Sequence, residues 1–359
     1  MPHQAGYPQP AAMRHPTVRL AAILATLFLL GGCSQLGYYL QATKGQYRII
    51  ADREPVADLV ASPDTPEPLR NRLALAERMR QFAVDRMELR GNRGFTYYTD
   101  VGRPYVVWNV VAAPAYALTP RTWCFPVAGC VAYKGYFEES AAMAEAEGLK
   151  REGLDVIVYG VSAYSTLGWF ADPLLNTFIH YPESGLAAVI FHELAHQVIY
   201  VKDDSAFNEA FATTVELALL AQWLNLHGDP AEVPALLDRQ RREEKITSMV
   251  LAYRDRLAEA YLGPDRETRK PALFAEMKRE YDERAARGEG TPFYDWWFGR
   301  PLNNADLLSI STYHRLVPAF QALLERTGGD FPAFFDEVRL LAELPAAERD
   351  AAVSRLMPD

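Results

Sequence analysis

No block of basic residues occurs in this chain, in which 46 acids outnumber 37 lysines and arginines to give a formal net charge of −9. A surface of that sign repels phosphate, so nucleic-acid binding is excluded as a function class. Internal repeats, coiled-coil heptads and low-complexity tracts are absent as well. Cysteine is scarce, with three in 359 residues, and none stands in a CxxC pair or beside further metal-ligand residues, so the thiols form neither a redox dithiol nor a zinc site. Strand signals nearly vanish after Ser205. What is abundant is ordinary globular material: 49% hydrophobic and 23% charged residues, with 19 Tyr, 17 Phe and 6 Trp to fill a large core or an apolar cleft.

The one unbroken apolar stretch, LAAILATLFLL at 20–30, is too short to span a bilayer comfortably and has the length of a signal-peptide core. Arg14 and Arg19 precede it, and Leu30-Gly31-Gly32-Cys33 follows. This resembles a bacterial lipoprotein signal, in which cleavage falls before the cysteine and its thiol takes the lipid. The resemblance implies removal of 1–32, lipidation of Cys33 and anchoring in the cell envelope; Ser34 after the cysteine implies the outer membrane, facing the periplasm. A plain secretory signal or a loose anchor is the alternative. Losing Arg14 and Arg19, and no acid, takes the net charge from −9 to −11. Cys124 and Cys130 in WCFPVAGC remain, with Pro126 and Gly129 able to turn the chain between them, so a disulfide or two buried thiols is expected.

Residues 33–64 read as a tether and 65–359 as the folded domain. Helical spacing predicts a helix within 65–92, with Thr65 as a cap and Gly91 as a stop. β-branched and aromatic residues predict strands in 95–114, 127–137 and 155–166, with a helix over 139–153 between the last two. Long helical patterns occupy 205–227, 232–262, 266–287, 304–327 and 331–343. The expected class is α+β: a small mixed or antiparallel sheet in a sheet-rich part of about 93–170, a helical hairpin at about 184–227, and a mostly helical part at about 228–359. The Pro and Gly residues of GTPFYDWWFGRPLNNA, 290–305, mark the only candidate internal boundary.

His192-Glu193-Leu194-Ala195-His196 matches HExxH. On a helix, residues four apart share a face, so both imidazoles can bind one zinc ion while Glu193 stands beside them as a proton acceptor. The pattern lies in a zincin-like helix that is apolar nearly all round, from Leu186 to Phe191 and through Leu194, Ala195, Val198 and Ile199. Burying Glu193 unpartnered would cost several kcal/mol, and a metal with its water satisfies all three groups at once. Ile199 and Lys202 stand where the metzincin pattern requires Gly and His, which removes that subclass.

The third ligand must then be an acid further on. VKDDS at 201–205 is a polar break between two apolar helical runs, and Ser205 can cap the second, which predicts an antiparallel hairpin. His196 lies seven residues before Asp203 and Glu209 six after, so the two are level across the hairpin, whereas Glu216 would sit roughly 10 Å further along. Glu209 is therefore the expected ligand. Glu216 remains the rival or a support behind the ligands, because a kink could change the register.

HExxH followed by Asn208-Glu209-Ala210-Phe211-Ala212 resembles the gluzincin zinc peptidases, whose second helix supplies a glutamate. More narrowly WNVVAAP, PVAGCVAYKGYF, GWFADPLL and VKDDSAFNEAFA resemble a bacterial family of predicted aminopeptidases with lipoprotein signals, over most of the chain from about residue 35. The resemblance implies a zinc metallopeptidase with one zinc held by His192, His196 and Glu209, Glu193 as general base, and a peptide substrate. Tyr313 or His314 is the candidate donor to the transition-state oxyanion. Asp172, Asp203 or Asp204 is the candidate acid for a substrate α-ammonium. Strand 155–166 could pair with an extended peptide. An endopeptidase, or a lipid-anchored binding or scaffold protein with a non-catalytic metal site, is the alternative.

Overall fold

The computed structural model describes residues 37–125, 129–163, 166 and 171–357, with the side chains of 312–314 excepted. Two compact units occur, 1–47 and 48–359. The described part of the first, 37–47, is helical (α1). Cys33 lies outside the described residues. Among those described, no helix is long and apolar enough to cross a membrane.

The second unit is α+β. It opens with β1 (Glu54–Pro55), α2 (Val56–Ala61), α3 (Glu67–Arg86), β2 (Tyr97–Thr99) and β3 (Val107–Pro114). Strands β4 (Trp123–Phe125), β5 (Gly129–Val131) and β6 (Lys134–Tyr136) follow, then α4 (Glu139–Arg151), β7 (Leu154–Val161) and β8 (Leu174–Leu175). The rest is helical: α5 (Glu183–Ala195), α6 (Ser205–Leu226), α7 (Glu232–Ala260), α8 (Arg266–Ala286), α9 (Pro292–Phe298), α10 (Asn304–His314), α11 (Val317–Arg326), α12 (Phe331–Ala342) and α13 (Ala346–Ser354).

The sheets are small. Strand β3, buried along nearly its whole length, is the centre of an antiparallel sheet β6-β3-β7, as its sequence, apolar at every position but Asn109, requires. Its register sets Asn109 between Gly135 and Tyr159, so these three share one face. A second sheet joins β1, β2 and β8, with β2 parallel to β8, and β4 pairs with β5 so that Cys124 lies opposite Cys130. These two cysteines form a disulfide.

Several boundaries differ from those read in the sequence. Residues 48–64, read as tether, belong to the folded unit and bury Ile49 and Val56. Helix α3 starts at Glu67 with Pro66 rather than Thr65 at its cap position and no side-chain cap, and Pro68 stands in its first turn, where no N–H is needed. The run 304–327 is two helices, since Pro318 has no N–H to continue the first and instead starts the second. The segment 290–305 is no domain boundary: Tyr294, Trp297 and Phe298 of α9 are buried.

Two apolar clusters result. One surrounds α5 and α6 with α3, α11 and α12, through Phe191, Phe207, Phe211, Trp223, Phe320 and Phe334. The other joins α7, α8, α9 and α10, through Val250, Leu257, Met277, Trp297 and Leu307.

Candidate metal centre

Helix α5 forms because its residues are apolar on nearly every side, and Leu186, Ala187, Ile190, Phe191, Leu194 and Ala195 are all fully buried. It ends at Ala195 with His196 at its cap, so the two histidines lie one turn apart, ring centroids 4.8 Å from each other. The chain then reverses. Asn208 fixes the reversal from within α6: its Oδ1 accepts from Val201 N at 2.7 Å and its Nδ2 donates to Val201 O at 2.7 Å. Asp204, one residue before the expected cap Ser205, accepts from Phe207 N at 3.1 Å and pairs with the buried Arg349 at 2.8 Å. A carboxylate at that position serves both the helix start and an arginine, which a serine could not.

The hairpin so fixed brings His192, His196 and Glu209 together, with one ligating atom from each inside a mutual distance of 4.8 Å. Glu209 Oε2 lies 3.3 Å from His192 Nε2 and 3.8 Å from His196 Nε2. Tetrahedral zinc with bonds of 2.0–2.1 Å would set its ligand atoms about 3.3 Å apart, so two imidazoles and a carboxylate at these separations fit such an ion. Glu216 lies outside this candidate group: its Oε2 is 3.0 Å from His192 Nδ1, while Glu209 faces the ring's Nε2. A carboxylate there fixes the ring's orientation and leaves Nε2 as the atom that could ligate.

The electrostatics follow from burial and crowding of charge. Burial opposes charge on His192, yet the carboxylates of Glu209 and Glu216 on its two nitrogens outweigh it and hold the imidazole pKa well above its usual value. His196, buried with less carboxylate contact, is pushed down to about 4. Burial raises the Glu193 carboxyl to about 7; nearby His192 opposes this, while Glu209, Asp172 and Glu216 add to it. A carboxylate tuned to that range can both accept and return a proton near neutral pH.

The other residues singled out from sequence fall differently. Asp172 is buried near Glu193, and its carboxylate accepts from Thr166 N at 2.8 Å and Thr166 Oγ1 at 2.6 Å. Asp203 accepts from Cys130 N and Asp204 caps α6, so both serve the fold rather than a substrate amine. Tyr313 and His314 belong to α10, and their side chains lie outside the described residues. Strand β7 pairs with β3 alone among the described strands.

Three tyrosines were not legible beforehand. The phenol of Tyr133 is pushed strongly upward by burial and by the charges of Glu209 and Glu193, with Tyr159 and Tyr200 also close. Burial likewise raises Tyr200, with Glu209 and Asp203 contributing. Tyr200 lies four residues after His196, within view of the motif; Tyr133, on the link between β5 and β6, comes near Glu209 and Glu193 only through the fold.

No curated protein and no solved structure matches the chain. A family model described as "Putative aminopeptidase" matches residues 37–353 and thus takes in the sheets, the His192, His196 and Glu209 group and the helical half. The chain belongs to that aminopeptidase family.

Proposed function

We propose that this protein is a zinc-dependent peptidase of the gluzincin kind that removes residues from the N-termini of peptides. The observation that carries the reading is the order of acids around His192: Glu209 on the ligand side, Glu216 behind the ring, and Glu193 beside it on the same helix. A site built only to hold an ion has no use for Glu193.

His192, His196 and Glu209 would hold the ion, which would supply Lewis acidity to the reaction. Glu193 takes the proton of the attacking water and delivers it to the leaving amine nitrogen. Glu216 keeps His192 oriented, and the edge of β7 that pairs with no strand among the described residues offers main-chain groups to an extended peptide regardless of its side chains.

Location is part of the proposal. Leu30 to Cys33 supports lipidation at Cys33 and attachment to the cell envelope, at the periplasmic face of the outer membrane, and the Cys124–Cys130 disulfide suits an oxidising compartment. Cys33→Ser should then move the protein from the membrane to the soluble fraction.

Internal cleavage is the second reading, favoured by one observation: Asp203 and Asp204 are both committed to the fold. Purified protein should contain one zinc per chain and shorten free peptides stepwise from the N-terminus, with acetylated peptides left intact. Cuts inside acetylated peptides would establish the endopeptidase, and absence of zinc uptake would defeat both readings.

A further inference from the structure

The turn between α5 and α6 is held from two sides. From the helices, Asn208 bonds both main-chain groups of Val201, and Asp204 pairs with Arg349 of α13. From the sheets, the Cys130 N–H of β5 donates to Asp203 Oδ1. Asp203 has a left-handed backbone, φ 66°, a conformation open to aspartate because its short side chain can hydrogen-bond. Gly129, at φ 77°, lies against the same turn: a Cβ there would overlap Asp203 Oδ1 and come within 2.9 Å of Lys202 Cγ, so only glycine permits the approach.

The hairpin that makes this contact is small. Strands β4 and β5 have three residues each and pair with no further strand among the described residues. A two-stranded ribbon of that size is marginal in water. Cys124 and Cys130 face each other in its register and are covalently joined, and Cys124 is exposed to solvent. We propose that this disulfide is a redox-sensitive clamp on the metal-binding hairpin, with Asp203 as the positioning residue that transmits it. While the bond is intact, β5 presents its N–H to Asp203 and helps keep α5 and α6 in the register that brings His192, His196 and Glu209 together. Once it is reduced, the clamp loosens and zinc is held less tightly. The proposal rests on the zinc part of the reading above and not on the peptidase part.

The reductant is a thiol. Its thiolate attacks the exposed Cys124 Sγ, the S–S bond breaks and Cys130 leaves as a thiolate; a second thiolate then attacks the reductant sulfur of the mixed disulfide and frees Cys124. Two reductant thiols become one disulfide, and their two protons pass to the cysteines. Coupling of this kind is reciprocal: the factor that separates the zinc affinities of oxidised and reduced protein also separates the reduction equilibria of zinc-free and zinc-loaded protein.

The test uses the full chain and reads zinc affinity by chelator competition. Cys124→Ala with Cys130→Ala opens the clamp without leaving thiols that could take zinc themselves, and should weaken zinc binding about tenfold, within the usual span of coupling between sites. Asp203→Gly keeps the left-handed backbone but removes the acceptor, so it should show a similar loss, and should cost little more once both cysteines are alanine. Asp203→Asn keeps an acceptor oxygen and should bind zinc as the wild type does. In a glutathione buffer, with free zinc fixed by a chelator, zinc-loaded wild type should resist reduction about tenfold more than zinc-free protein. Equal zinc affinity in oxidised wild type and the cysteine-pair variant would overturn the clamp, as would losses from Asp203→Gly and the cysteine pair that simply add. Oxidised wild type that takes up no zinc would overturn the ligand set and the clamp with it. Zinc uptake with the expected coupling, but no cleavage of any peptide, would overturn the peptidase reading and support the clamp.

Discussion

The two apolar clusters treat their polar groups in opposite ways. In the cluster of α7 to α10, several polar groups are matched in pairs: Thr247 with Tyr294 at 2.6 Å, Tyr261 with Asn304 at 2.6 Å, Tyr281 with Asp295 at 2.5 Å. At α5 and α6, five ionisable groups converge instead, with His192 between Glu209 and Glu216 and with Glu193 and His196 alongside. One-to-one pairing is what a stable interior asks of its polar groups. Convergence of three carboxylates on two imidazoles stores repulsion, which a fold tolerates where a cation and a reaction use it. The contrast separates a scaffold from a site within one chain, and substitutions at the two places should differ in kind.

The largest difference is expected at Glu193. Glu193→Gln removes the proton acceptor and leaves the imidazoles in place, so kcat should fall roughly 10²–10⁴-fold with zinc retained; full activity in this variant would take the base role away from Glu193. Next come the two other acids. Glu209→Ala deletes a ligand and should weaken zinc binding more than Glu216→Gln, for which about 10–100-fold is expected because only the ring's support is lost. A competition titration with a chromogenic chelator gives both numbers, and the reverse ranking would exchange their roles.

How much of this was legible in the sequence depended on the range of the interaction concerned. HExxH is local, and the apolar residues around His192 and His196 showed that the helix is buried. Counting residues either side of Asp203 sufficed to set Glu209 level with His196, because a tight reversal leaves little freedom in register. The helix ends were read one or two residues off, at Thr65 and Ser205, where Pro66 and Asp204 compete for the same position. The split at Pro318 was passed over, although the residue itself is the signal. Hidden altogether were contacts made across the fold: Tyr133 near Glu209 and Tyr159, Arg349 on Asp204 and Asn303 on Val156, whose partners lie 145 and 147 residues away in the last two cases. Nothing in local pattern encodes pairings of that span.

The crowding of charge also predicts a pH dependence confined to the metal cluster. His192 keeps its proton well above the ordinary range because Glu209 and Glu216 face its nitrogens, whereas His196, at about 4, is already neutral. On the proposed ligand set zinc would have to displace the His192 proton, so its affinity should fall as pH falls. Between pH 5 and 7 the change should be about tenfold per pH unit, the slope for release of one proton. A flat profile would mean that His192 is neutral in the metal-free protein, and a slope of two would mean that His196 is protonated as well.

The smallest effect is expected in the paired cluster, and it tests whether the two regions are independent. Tyr261 is buried and donates to Asn304 Oδ1, while the amide nitrogen of Asn304 donates to the carbonyls of Pro114 and Ala115 at 2.9 and 3.1 Å. Tyr261→Phe keeps the ring and its packing, and leaves one amide oxygen without its donor. That should cost about 1–2 kcal/mol, between the net value of a hydrogen bond and the penalty for an unsatisfied buried acceptor. Denaturant unfolding of the zinc-free protein measures this cost, and zinc affinity should be unaltered because neither side chain hydrogen-bonds to a group of the α5–α6 hairpin among the described residues. Asn304, however, also donates its backbone N–H to Asp155 of β7 at 2.9 Å, and Tyr159 of the same strand is a neighbour of Tyr133, which in turn lies near Glu209. If Tyr261→Phe weakens zinc binding together with stability, strain passes along β7 from one cluster to the other, and the paired region is part of the site's support and not a separate scaffold.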